Sequence, residues 1–304
     1  MGCLDVAREP LFSPMEIDCD LTVVVACVDA ARSIERCLRA VEEACIGLRA
    51  QIIVADASRD GTSDVVRAQW PAVDVLRFPA GTLVPVLWSA GLGRARGRAV
   101  AFSIGHFVVT HSWARALING LETADGVGGP LMLADDTGLV DWAIFYLRYS
   151  AFLPSQLPDG PVTGEIAGDN AAYAMTALTR AASSFADGFW EVEFHRRLRA
   201  DGGALHATAQ ATAVFTAASP FWGMARHRYA HGRHFGAARV GHGSSVPRVV
   251  LAAPLVPFVL AWRAARRVLR ERQHRVRFVL ALPLLIALAA AWSAGEARGA
   301  LSSR

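Results

Sequence analysis

The residues of this chain whose types and spacing suit chemistry fall into a few tight groups. The first is Asp56-Ala57-Ser58-Arg59-Asp60-Gly61-Thr62, which follows the apolar run Ile52-Ile53-Val54. A short apolar run that stops at a carboxylate and a glycine turn delivers a side chain to the carboxyl edge of a parallel sheet, where ligands of open α/β sheets bind. A carboxylate there accepts hydrogen bonds from a ribose or from the N–H of a base. The alternative is that Asp56 and Asp60 only close an ordinary βα turn. Glu191 and Glu193 form a second group. On a helix they point about 200° apart, so at most one of them faces a given site. The third group is the basic stretch from Arg226 to His234, with His227, His231 and His234 at i, i+4 and i+7. That spacing could present a metal-binding face, but no carboxylate or cysteine partner lies beside it.

Elements with alternating periods must position these groups. Residues 21–28, LTVVVACV, are apolar throughout and largely β-branched, the signature of a strand buried on both faces. Over residues 33–49 the apolar side chains Ile34, Cys37, Leu38, Val41, Cys45 and Leu48 recur at helical spacing, with Ser33 placed as the N-cap. A strand over 51–56, a helix over 63–69 capped by Thr62, and a strand over 73–78 complete a β-α-β-α-β half-fold. A helix over 85–95 and a strand over 97–102 continue it.

With these elements in order, the motifs resemble those of the family-2 inverting glycosyltransferases of GT-A fold. The resemblance rests on the strand-D-x-S-x-D-G-T turn, the small-residue helix followed by a strand ending in Phe102, Trp113, Gly128-Gly129-Pro130, Gly168-Asp169-Asn170-Ala171-Ala172-Tyr173, and GFWEVEFHRRLRADG over 188–202. It covers roughly residues 20–240. It implies an α/β, Rossmann-like nucleotide-binding domain with a mostly parallel sheet and flanking helices. It also implies a nucleotide-sugar donor, with Asp29, Asp56, Ser58 and His106 on the nucleotide side. Gly168, Asp169 and Asn170 would line the donor or acceptor pocket, unless they form only an Asx-turn. Counting back from Leu198 and Gly202 puts Glu191 at the position of the family's base. Arg228-Tyr229 stands where processive relatives carry R-W, making Arg228 and His231 candidates for a diphosphate or a phosphorylated acceptor.

One departure bears on cofactors. Where the family's D-x-D holds a divalent cation, this chain has Ile104-Gly105-His106. Ile104 cannot ligate a metal. His106 could hold Mn²⁺ or Zn²⁺ and suits Mg²⁺ poorly, or it could donate a hydrogen bond to a diphosphate oxygen, or serve only a structural role.

The 304 residues leave room for one large core or two modest ones. An apolar share of 53% and a mean hydropathy of +0.30 point to membrane contact. The net charge is +4 and all 31 basic residues are arginine, which does not by itself imply a nucleic-acid partner. Cys3, Cys19, Cys27, Cys37 and Cys45 contain no C-x-x-C and fit reduced cytosolic thiols. Residues 1–20 are acidic and hold two prolines, unlike a signal peptide, and form an N-terminal extension to a catalytic domain over 21–240.

Residues 241–304 make a membrane-associated region. Residues 249–262 are an apolar run interrupted by Pro254 and Pro257, expected to be re-entrant or interfacial. Residues 263–277 carry seven arginines and read as an interfacial helix on anionic headgroups. Residues 278–295 read as one transmembrane helix, with the arginines and the catalytic domain on the cytoplasmic side. The sequence thus points to a membrane glycosyltransferase acting on a lipid or polyprenyl-linked acceptor. The rival reading is a catalytically silent GT-A-like subunit of a membrane glycan or lipid pathway.

Overall fold

The computed structural model describes residues 17–302 apart from 186, 218, 219 and 242. Of the expected N-terminal extension, residues 1–16, Cys3 among them, lie outside the described residues. The chain divides into two units: the described residues up to Leu131 with Leu157–Val214, and Met132–Gln156 with the residues from Phe215 on.

The first unit follows the periodicity of its sequence. It opens with β1 (Cys19–Cys27), α1 (Ile34–Ala44), β2 (Ala50–Asp56), α2 (Thr62–Gln69) and β3 (Asp74–Arg77). It continues through α3 (Val84–Leu92), β4 (Gly97–Ile104), β5 (Phe107–Val109), α4 (Trp113–Gly120) and β6 (Gly126–Gly128). After β7 (Leu131–Leu133) and α5 (Leu139–Tyr149), which lead into the second unit, the chain returns with β8 (Gly160–Pro161) and β9 (Ala171–Ala174). It ends with α6 (Met175–Arg180), α7 (Glu191–Ala200), β10 (Leu205–Ala207) and β11 (Ala213–Phe215). The main sheet runs β3-β2-β1-β4-β9-β6-β10-β8. β1 is parallel to both neighbours, with Val23 opposite Ile52 and Ala101. Its residues Leu21, Val23, Val24 and Val25 are fully buried, as a continuous apolar run requires.

α1 buries Ile34, Cys37, Leu38 and Val41 along one stripe. Two caps differ from expectation. Ser33 holds the N-cap position of α1 without capping it, because its hydroxyl lies instead between Gly105 O at 2.7 Å and His106 Nδ1 at 2.9 Å. Thr62 is the first residue of α2, whose cap position is Gly61 at φ 84. The described cysteines are free and buried, and burial pushes the Cys37 thiol up to about 12, so these sulfurs pack rather than react.

The second unit consists of α5, α8 (Phe221–Gly241), α9 (Val246–Ala252), α10 (Val256–Val268) and α11 (Arg275–Leu301). α8 and α11 run parallel and meet through glycines. A Cβ on Gly232 would lie 1.9 Å from Trp292 O, one on Gly236 2.0 Å from Glu296 O, and one on Gly299 1.9 Å from Arg233 O. Two small-x-x-x-small pairs, Gly232/Gly236 and Gly295/Gly299, thus bring the backbones into contact. Glu296, which is buried, pairs with Arg239 at 2.6 Å beside this crossing.

These units cut the chain differently from the expected 21–240 and 241–304. The apolar face of α11 needs partners, and α5 and α8 supply them, so residues 132–156 and 215–241 belong with the C-terminal segment. The arginine-rich segment 263–277 is not a helix of its own. Its first half ends α10, a short 3₁₀ turn follows over Arg272–His274, and its last residues open α11. α9 and α10 are bent by 63° from each other. Among the described residues one helix, ending at Leu301, is long and apolar enough to cross a membrane, with a mean hydropathy of 2.1.

Candidate functional site

Strand direction explains how distant residues reach one edge of the sheet. β1, β2 and β4 are parallel, so the residues following Cys27, Asp56 and Ile104 emerge together at their carboxyl ends. β9 runs antiparallel between β4 and β6, with Ala171 opposite both Phe102 and Gly128. Gly168-Asp169-Asn170, immediately before β9, therefore arrives at that same edge. In open α/β sheets this is the ligand-binding edge.

The Asp56 motif laces the two neighbouring turns together. Asp56 is 1% exposed; its Oδ1 accepts the Ser58 N–H at 2.9 Å and its Oδ2 accepts the Ser63 hydroxyl. Ser58 Oγ accepts the Asp29 N–H at 2.8 Å, and Asp29 Oδ1 accepts the Arg59 N–H at 2.9 Å. Asp60 accepts the Ala31 N–H at 2.9 Å and the Thr62 hydroxyl at 2.6 Å. Both readings of Asp56 meet here: its carboxylate holds the turn, while each oxygen retains a second lone pair. Asp29 is the exposed carboxylate of the pair, held at φ 52 in the sparsely populated left-handed region.

His106 is a staple between loops. Its Nε2 faces the Val28 carbonyl at 3.2 Å, and because a carbonyl only accepts, Nε2 carries the proton and donates. Its Nδ1 lies 2.9 Å from Ser33 Oγ. Both ring nitrogens are directed at protein partners, so the expected roles as metal ligand or diphosphate donor are not supported by this geometry. The Ile104-Gly105-His106 turn offers a divalent cation no carboxylate. Ile104 is buried and apolar, and a Cβ on Gly105 would meet Ala30 Cβ and Cys27 Sγ at 2.8 Å. Among the described residues no three His, Cys, Asp or Glu side chains converge as metal ligands.

Asn170 is also structural. Its Oδ1 accepts the Trp113 indole N–H at 2.7 Å, and its Nδ2 donates to Ala211 O at 2.9 Å and Pro130 O at 3.1 Å. Every amide hydrogen is used and the side chain is fully buried, so Asn170 fixes the loop rather than contacting a sugar. Asp169 is buried beside it.

Gly168 meets Glu191. A Cβ on Gly168 would lie 2.8 Å from Glu191 Cβ and 3.3 Å from Glu191 Cδ, so only glycine lets the first turn of α7 approach this closely. Glu193, pointing elsewhere, pairs with Arg196. The sheet edge and the Glu191 carboxylate thus come together through one glycine.

Below this contact lies a network that the sequence did not reveal. His195 is fully buried; its Nδ1 faces the Glu165 carboxylate and its Nε2 lies 2.7 Å from the Tyr173 hydroxyl. A carboxylate accepts, so Nδ1 donates and Nε2 accepts the tyrosine proton. Arg199 donates to Glu165 Oε1 at 2.7 Å and to Gly164 O at 2.8 Å. Burial opposes the charged form of Glu165, but the hydrogen bonds from His195 and Arg199 outweigh it and hold the carboxyl below its ordinary value. Burial, with Glu191, Glu165 and Asp169 nearby, raises the Tyr173 phenol well above its ordinary value, so it stays a neutral donor. Glu165 and His195 lie 30 residues apart with no shared local pattern; only the i, i+4 spacing of His195 and Arg199, which share Glu165, was a signal.

Arg228 and His231 belong to α8 in the second unit. The Arg228 guanidinium sits 5.9 Å from the Trp292 ring centre, and burial together with Arg148 brings it down to about 9, so it remains charged at neutral pH. Burial, with His227, Arg228 and Arg148 as neighbours, pushes His231 well below its ordinary value. It is therefore neutral near pH 7 and supplies no positive charge to a phosphate.

The sequence profile described as "Glycosyl transferase family 2" matches residues 22–179. The crystal structure of S. aureus TarS 1-349 superposes with a TM-score of 0.50 at 12% identity, over 89% of this chain and 81% of that one. A second S. aureus TarS crystal structure gives a TM-score of 0.46 at 13% identity, over 69% of this chain and 39% of that one. The chain therefore spans less than two thirds of that second protein. No curated protein sequence matches. At these identities the structural likeness is one of fold.

Proposed function

Because the chain belongs to glycosyl transferase family 2, we propose that it is an inverting glycosyltransferase. It moves a sugar from a nucleotide-sugar donor to a lipid or polyprenyl-linked acceptor at the cytoplasmic face of a membrane. The observation that carries the proposal is the contact of Glu191 with Gly168 at the carboxyl edge of the sheet. Glu191 takes the proton of the acceptor hydroxyl as that oxygen bonds to the anomeric carbon. The bond from that carbon to the nucleoside diphosphate breaks on the opposite face. Asp29, beside Ser58 and Arg59, meets the nucleotide, while the Tyr173–His195–Glu165 network keeps the 164–170 loop seated on α7. The exposed apolar side chains of the second unit support the membrane location, and the membrane in turn supports a lipid acceptor.

The proposal gives no step to a divalent cation, so turnover is expected to survive EDTA. Loss of activity on chelation, restored by Mn²⁺, would mean that a cation is held by groups other than Ile104-Gly105-His106. The decisive experiment offers the purified chain labelled nucleotide sugars together with a membrane lipid extract and follows label into the lipid phase. The substitution of the metal-binding pattern by Ile104 and a fully engaged His106 favours one rival, a silent subunit. It forecasts no transfer from any donor, and full complementation of a deletion strain by Glu191→Gln.

A further inference from the structure

α10 is amphipathic in an unusual sense. Pro257, Ala261, Ala264 and Val268 face the interior of the second unit. On the other side Leu255, Phe258 and Trp262 are 65%, 62% and 58% exposed, forming an apolar ridge. At the end of this ridge Arg263, Arg266, Arg267 and Arg270 line a cleft of about 240 Å³ with Gln156 and Trp262. Arg266 lies 4.8 Å from the centre of the Trp262 ring.

The charge in this cleft is unbalanced. Arg239, Arg199 and Arg277 each have a carboxylate partner. Among the described residues none of the four cleft arginines does. The acidic residue nearest in sequence, Glu271, is turned away to the Ser155 hydroxyl and to His274. Four guanidinium groups brought together without counter-charge repel one another, and an anion that receives several of their N–H groups relieves that repulsion. A phosphate accepts such forked donors well. The apolar ridge beginning at the mouth of the cleft says what the phosphate is attached to, because acyl chains cover such a ridge and a soluble phosphate does not.

We propose that this cleft is a binding site for the phosphate of an anionic phospholipid, with its acyl chains lying along Leu255, Phe258 and Trp262. The site rests on the membrane location of the proposed function and goes beyond it, since it holds a lipid apart from the Glu191 chemistry.

The test measures thermal unfolding of the detergent-solubilised full chain while titrating phosphatidylglycerol, phosphatidylcholine or inorganic phosphate. Phosphatidylglycerol is expected to raise the unfolding temperature saturably and phosphatidylcholine to have little effect. The variant with all four arginines changed to glutamine is expected to bind phosphatidylglycerol at least tenfold more weakly. Phe258→Ala is expected to weaken phosphatidylglycerol binding without creating a response to phosphate. Equal phosphatidylglycerol affinity in the fourfold variant overturns the site, and so does a response to inorganic phosphate as strong as to the lipid. Should the fourfold variant fail to fold, Arg263→Gln and Arg270→Gln are titrated singly, and unchanged affinity in both overturns it equally. A panel of nucleoside diphosphates in the same assay separates this inference from the transferase reading. Loss of every nucleotide response with the lipid response intact sinks the transferase and leaves the lipid site standing.

Discussion

Glu191 can approach the sheet edge because position 168 has no side chain, and that contact makes the two residues testable as a pair. Glu191→Gln keeps the shape and hydrogen bonding of the side chain but cannot take a proton. Turnover is expected to fall about 10²–10⁴-fold with nucleotide affinity unchanged, read from steady-state kinetics and calorimetry. Gly168→Ala places a methyl group against Glu191 and is expected to lower kcat while leaving the base present; an unaltered kcat would detach Glu191 from the site. Asp56 makes a different forecast. Asp56→Ala removes the acceptor for two buried donors and is expected to cost about 1–3 kcal/mol of stability in denaturant unfolding. Asp56→Asn still accepts the Ser58 N–H and donates to Ser63, so it should recover most of that loss. At this scale the sequence was informative about which residues matter and poor about what each does. Asp56, His106 and Asn170 were all found at the edge, yet each is committed to neighbours such as Ser63, Val28 O and Trp113 that no local spacing announces.

The elements that carry these residues are held by two contrasting devices. One is electrostatic: Glu165 clamps the loop before β9 to α7 through His195 and Arg199. Its carboxyl is held below the ordinary value of 4.5, so the stabilisation is fully present above that value and is lost as the pH falls through the lower folded value. Glu165→Gln is expected to flatten the acid limb of the unfolding curve below about pH 4.5, whereas an identical limb would show that the clamp contributes nothing. The other device is steric. Gly299→Ala would force a methyl group to within 1.9 Å of the Arg233 carbonyl, so α8 and α11 must separate. A loss of about 1–3 kcal/mol, the scale of overpacking a tight interior, is expected in detergent unfolding assays. The first five elements were legible because short continuous apolar runs at β1 and β2 alternate with a helical apolar period of 3.6 residues in α1. β9 was not, because strand direction leaves no mark on a four-residue AAYA run. The glycine spacing at 232/236 was visible in the sequence but lay within a stretch that drew attention for its arginines and histidines.

At the scale of the whole molecule, the parallel pairing of α8 and α11 sets a second topology beside the expected spanning helix. Residues 292–300 of α11 lie against the segment of α8 that carries Arg228, Arg233 and Arg239. Drawing that segment into hydrocarbon would cost about 2.5–3.5 kcal/mol for each arginine placed centrally. If those residues stay outside, the apolar stretch left to α11, residues 278–291, reaches only about 21 Å against a core of ~30 Å. If the chain acts at a membrane as proposed, a reporter fused behind Arg304 is therefore expected on the same side as one inserted near Arg270. A reporter behind Arg304 on the far side would restore the spanning helix read from composition alone. Hydropathy detected the apolar length of α11 correctly and could not detect its partner. The same pairing also governs the order of events during synthesis. Since Gly232 packs on Trp292 and Glu296, far later in the chain, α8 emerges with its glycine face bare and stays so until α11 follows. Closing so long a loop carries an entropy cost that neighbouring contacts cannot offset early. The first unit, complete by Val214, can fold while the second waits, and a chain truncated before Gly295 is expected to keep its sheet and lose the packing of α8 on α11.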